Sequence, residues 1–177
     1  NPKVLNTDPE RLAYWRKRFD AYCTGKAVNN VTIRAAVGLL QNVPVYGGAL
    51  VPADHFEVVS QWYTEDVTDM SNLFNTNQNF FYFNHPLPWD TSNVTTMRGM
   101  FSGCTTFNQP LNWDTSNVTD MSSMFANAQS FNQELRFDTR NVTSMRNMFF
   151  EGRNFNQKLF FDTQNVTTMA HMFNGAR

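Results

Sequence analysis

The side chains best suited to chemistry in this chain recur at a fixed distance. Asp90, Asp114, Asp138 and Asp162 stand 24 residues apart, and a carboxylate column is a natural candidate for Ca²⁺, which takes roughly six to eight oxygen ligands. Each copy supplies one carboxylate with only a Thr behind it, so the spacing favours a structural role in which each Asp accepts N–H groups of its own turn. Asn30, Asn93, Asn117, Asn141 and Asn165 each open an Asn-x-Thr triplet, formally a glycosylation acceptor. Four of them repeat in step with the aspartates and read as capping residues. His55, His85 and His171 show no metal-ligand spacing. Cys23 and Cys104 make no disulfide framework, and Cys104 shares its column with Ala128, Gly152 and Ala176, so it reads as a small buried residue. No nucleophile–base pair, P-loop or dinucleotide fingerprint occurs. The expectation is a non-enzyme that uses neither metal nor cofactor.

Composition narrows the partners. The 177 residues carry a net charge of −1, which gives no global basic field for nucleic acid or acidic membranes. Residues 62–177 hold seven Lys/Arg against ten Asp/Glu, so the clustered aromatics lack the basic groove that base stacking needs. No window approaches the ~18 apolar residues of a membrane span. The chain begins at Asn1, without a signal-peptide pattern, which suggests processing or partial representation. The apolar material is unusual, with 17 Phe and 9 Met.

That material is ordered by a repeat. Val94, Val118, Val142 and Val166 lie 24 apart, and so do Met97, Met121, Met145 and Met169. Met100, Met124, Met148 and Met172 keep the same spacing, followed by Phe101, Phe125, Phe149 and Phe173. Leu87, Leu111, Leu135 and Leu159 form another column beside Trp89, Trp113, Phe137 and Phe161, with Phe83, Phe107, Phe131 and Phe155 ahead of them. An incomplete first unit, "WYTEDVTDMSNLF" (62–74), is offset by 27, so three extra residues fall within 77–84. Units of this length cannot bury their apolar side alone and must stack. Within each, "PLNWD" predicts a short strand with Leu111 and Trp113 inward. "NVTDMSSMFANA" predicts a short helix with Val118, Met121, Met124, Phe125 and Ala128 on one face, Asn117 as N-cap and Asp120 as its capping-box partner.

These residues resemble a known family. "FNQPLNWDTSNVTDMSSMFANAQSFNQ" is similar to the surface-protein repeat of bacterial lipoproteins, grouped with BspA-type leucine-rich repeats and also met in algal and large-virus sequences. The resemblance covers residues 62–177 strongly and extends to a helical lead-in over 32–71. It implies a right-handed leucine-rich-repeat-like solenoid and a non-enzymatic role in adhesion or protein–protein contact at a cell surface. Asn117 follows Trp113 by four residues rather than the three of standard leucine-rich repeats.

The expected domain layout is a helical N-terminal cap over 1–61 and a solenoid of about five units over 62–177, the first and last incomplete. Residues 8–23 predict an amphipathic helix opened by Asp8 and Pro9, 32–43 a second helix, and 44–55 a Gly/Pro loop. Arg16, Lys17 and Arg18 offer a docking arm as an alternative to simple capping. The last unit stops at "MFNGAR" with no closing cap, so the expectation is either that the mature protein continues or that something else covers that end. In a solenoid the varying positions make the surface. Two columns vary on the strand face: Pro86, Pro110, Glu134, Lys158, and Pro88, Asn112, Arg136, Phe160. Arg136 and Phe160 have the composition of interface centres, flanked by Asn112, Glu134 and Lys158. A Glu134–Lys158 pair between neighbouring strands is the purely structural alternative. Phe80, Phe81 and Tyr82 in the insertion form a second candidate patch. The expected partner is therefore protein. The alternative is a structural subunit of a large assembly such as a capsid, coat or membrane complex.

Overall fold

The computed structural model describes residues 27–41, 58–75 and 83–176. The predicted helix at 8–23, the loop at 44–55 and the Phe80–Tyr82 patch lie outside the described residues. Strand β1 (Ala27–Asn29) pairs in parallel with β2 (Tyr63–Asp66), and helix α1 (Asn30–Gln41) follows β1 directly. Asn29 caps α1: its Oδ1 accepts the N–H groups of Val31 and Thr32, while Thr32 Oγ1 accepts the N–H of Asn29. This reciprocal box starts the helix two residues ahead of the predicted 32. Ile33, Ala36 and Val37 are its buried stripe, and a short 3₁₀ turn at Val58–Gln61 leads into β2.

From Val67 onward the chain forms stacked units, 24 residues long from Val94, and neither predicted element of the unit appears in its expected form. Residues 86–90 and their equivalents form no strand. Pro86, Pro88 and Pro110 have no N–H to give a ladder. Side-chain bonds link successive units there instead. The inward and outward alternation is nonetheless present, with Leu111 and Trp113 buried and Pro110 and Asn112 exposed.

The segment predicted as helix is a run of turns joined sideways to its neighbours. Parallel bridges run Asp69–Thr96–Asp120–Ser144–Thr168. The N–H groups of Met121, Ser123, Phe125 and Asn127 donate to the carbonyls of Ser144, Arg146, Met148 and Phe150, at 2.7–3.0 Å. Those of Met124, Ala126 and Ala128 donate three residues back within their own unit. The cause is a left-handed residue at two fixed columns. Asn72, Gly99, Ser123, Asn147 and His171 form one, and Gly103, Asn127, Glu151 and Gly175 the other, with φ between 53° and 81°. An α-helix needs φ near −63° throughout, so a left-handed residue every fourth position rules it out. The alternation turns one N–H in two toward the next unit.

The core is the set of repeated columns. Phe74, Phe101, Phe125, Phe149 and Phe173 stack with centroids 5.5–5.7 Å apart. Phe83, Phe107, Phe131 and Phe155 stack beside them at 5.9–6.0 Å. The two ladders touch within each unit, as at Phe125–Phe131, 4.1 Å. Trp62, Trp89 and Trp113 make a third ladder.

Candidate interaction surface

Most polar side chains beside the core are committed to joining units. Thr64, Thr91, Thr115 and Thr139 form a buried column, and each hydroxyl donates to the carbonyl of the next unit's Asp at 2.7–3.0 Å. Trp89 and Trp113 donate their indole N–H to Val59 and Leu87 carbonyls of the preceding coil. In the "FNQ" triplets, Asn84, Asn108 and Asn132 each accept the N–H of the Asn one unit on, and Gln109, Gln133 and Gln157 donate to the same oxygens. Exposed Thr95, Thr119, Thr143 and Thr167 donate to the Thr carbonyl one unit back.

The chemistry-bearing residues fall within the same scheme. Asp90, Asp114, Asp138 and Asp162 each accept the N–H two residues on. Hydrogen bonds from Ser92, Ser116 and Arg140 hold the carboxyls of Asp90, Asp114 and Asp138 below their ordinary range. Among the described residues no group of three or more His, Cys, Asp and Glu is placed to hold a metal ion. The asparagines at 93, 117, 141 and 165 are not helix caps. Their Nδ2 groups donate to carbonyls of the preceding unit, at 2.6–2.9 Å. Asp120 is no capping-box partner either, since it accepts the N–H of Ser122. Cys104 is fully buried against the Phe74 carbonyl, and burial pushes its thiol up to about 12.

Asn30 and Arg34, one turn apart on α1, close the N-terminal edge of the stack. Asn30 Oδ1 accepts the N–H groups of Thr68 and Asp69, taking the place of the carbonyl that a preceding unit would offer. Arg34 Nη1 and Nη2 donate to the Ser71 and Asp69 carbonyls, replacing two backbone donors. Arg34 also pairs with the Asp69 carboxylate at 2.9 Å. Burial draws that carboxyl upward, but the Ser71 hydrogen bonds and Arg34 outweigh it and hold it low.

The varying columns remain. Asn112, Glu134, Arg136, Lys158 and Phe160 are all exposed on one face, and Phe160, 79% exposed, is the most open large apolar side chain described. Glu134 pairs with Arg136 two residues away, at 3.1 Å, and not with Lys158 of the next unit. The bond lies along one unit, where two outward side chains share a side. At the other end of this face, Ser60–Glu65, Pro88 and Asp90 line an open concavity of about 610 Å³, with Tyr63 59% exposed beside it. The sequence reading missed this hollow. Its signal was the Trp62–Tyr63 pair in a unit that lacks the preceding "PL" segment.

Residues 49–159 and 135–177 match the model of a family described as Mycoplasma protein of unknown function, DUF285. The matches span more than two thirds of the chain, which belongs to that family. No curated protein and no solved structure matches the chain. Among the described residues, no helix is long and apolar enough to cross a membrane.

Proposed function

We propose that this chain is a repeat solenoid related to BspA-type leucine-rich repeats, and that it binds another protein through the face carrying Asn112, Glu134, Arg136, Lys158 and Phe160. The observation that carries this reading is a division of labour among the columns. Over residues 86–89 and their equivalents, the repeated Leu and aromatic columns turn inward and the two columns that vary are exposed. An exposed Phe beside an Arg has the composition of an interface centre. Display at a surface, as an adhesion module, is the setting the family resemblance suggests.

The alternative reading is a structural subunit of a large assembly such as a capsid, coat or membrane complex. Lysine cross-linking with mass spectrometry on native material separates the two. Only Lys158 reports on the varying face, while Lys3, Lys17 and Lys26 report on the N-terminal segment. Abundant links from Lys158 to one protein, lost in an Arg136→Ala/Phe160→Ala variant, are the expected result. Links from the N-terminal lysines alone would overturn the binding-face reading.

A further inference from the structure

The units are joined unequally on their two sides. Along the turn segment, four N–H groups of one unit donate to carbonyls of the next: Met97, Gly99, Phe101 and Gly103, then Met121, Ser123, Phe125 and Asn127, then Met145, Asn147, Phe149 and Glu151. The side carrying the varying columns has no such row. Among the described residues, the backbone N–H groups of 111–115, 135–139 and 159–163 have no acceptor. Side chains alone tie the units there. The buried hydroxyls of Thr91, Thr115 and Thr139 recur at successive junctions, but the indole bonds do not. Trp89 donates to the Val59 carbonyl at 2.7 Å and Trp113 to the Leu87 carbonyl at 2.9 Å. In the next two units the same column holds Phe137 and Phe161, whose rings have no N–H to give. Spacing differs as well. Between the same two units, rings stand 5.6 Å apart at Phe101–Phe125, beside the turn segment, and 6.3 Å apart at Trp89–Trp113, beside the varying columns.

We propose that the stack bends about its turn segments, and that the part of the varying face holding Glu134, Arg136, Lys158 and Phe160 is its pliant part, where units open and close against a partner. A row of main-chain bonds fixes the separation of units along one line. On the far side the separation rests on fewer bonds, so bending there breaks less. The two indole bonds stiffen the first half of that side. Their loss at Phe137 and Phe161 falls on the units whose outward side chains form the candidate interface. Glu134 bonds to Arg136 within its own unit, at 3.1 Å, and adds no tie across the junction. What the pliancy serves rests on the binding reading above, whereas the bending stands on these bonds alone.

The test is amide-nitrogen relaxation dispersion by NMR on the isotope-labelled whole chain without any partner, which makes its outcome independent of binding. Collective hinge motions fall in the microsecond-to-millisecond range that this measurement reads. Amides of 135–139 and 159–163 should show dispersion, and those of Met121, Ser123 and Phe125 none. Trp113→Phe removes the indole bond to Leu87 and should extend dispersion to 111–115. Phe137→Trp supplies an indole N–H in register with the Leu111 carbonyl. It should abolish dispersion at 135–139 and leave 159–163 unchanged. Flat profiles at 135–139 and 159–163 in the native chain would overturn the proposal. So would equal dispersion at Met121, Ser123 and Phe125, or a Trp113→Phe chain that matches the native one at 111–115. Absence of cross-links from Lys158, by contrast, would count against the binding face alone.

Discussion

Thr115 shows how a single side chain can hold two units together. Its buried hydroxyl donates 3.0 Å to the Asp138 carbonyl, and Val would keep the shape while leaving that carbonyl without its donor. Thr115→Val should destabilise the fold by about 1–3 kcal/mol, measured by urea unfolding. Ser123 sits at φ 57°, a conformation that disfavours side chains with a Cβ. Ser123→Gly should therefore stabilise by roughly 0.5–1 kcal/mol, whereas the same change at Ser122, outside the left-handed columns, should destabilise. Gly99 occupies the same column at φ 62°, and an added Cβ would collide with the Asn72 side chain, so Gly99→Ala should destabilise. The aspartates give a pH dependence of known sign. Asp90, Asp114 and Asp138 have folded-state values below 3.8. The stability they contribute is present above the unfolded value and is lost as pH falls through the lower folded ones. Carboxyl titration by NMR should place all three midpoints below 3.8.

At the scale of the element, each unit is held mainly by its aromatic ladders. Phe125 is buried between Phe101 and Phe149 and against Phe131, so Phe125→Ala should cost about 3–5 kcal/mol. Phe173→Ala, stacked on one side only, should cost well under half of that on the same unfolding curve. The columns, their burial and the Asp turns were legible in the sequence because identity at a fixed spacing reports them directly. The conformation of the Met–Phe segment was not. Apolar spacings of three, three, one and three fit a helix face, and they fit equally a ribbon of alternating right- and left-handed residues. The discriminating signal lay in the columns Asn72–Gly99–Asn147 and Gly103–Asn127–Gly175, enriched in the two residues that most readily adopt positive φ. The strand was misread for another reason: inward and outward alternation survives without a backbone ladder, both where Pro86, Pro88 and Pro110 stand and at 134–138 and 158–162, where no proline does. Within the candidate face, exposure of Asn112, Arg136 and Phe160 followed from their variability. The Glu134–Arg136 bond did not, because both a sequential and a cross-unit partner were available.

For the whole molecule, stability is a sum over nearest-neighbour junctions, with Asn30 and Arg34 bonded to the backbone edge of the first unit. That arrangement leaves the varying face free, since no junction uses Phe160 or Lys158. The stacking of the units depends on N–H groups that reach 23 residues along the chain. Scalar couplings across hydrogen bonds, measured by NMR on isotope-labelled protein, test it most directly. They should link the amide nitrogens of Met121, Ser123 and Phe125 to the carbonyl carbons of Ser144, Arg146 and Met148. Couplings from the same nitrogens to carbonyls four residues back, those of Asn117, Thr119 and Met121, would mean a helix in each unit and would contradict the account.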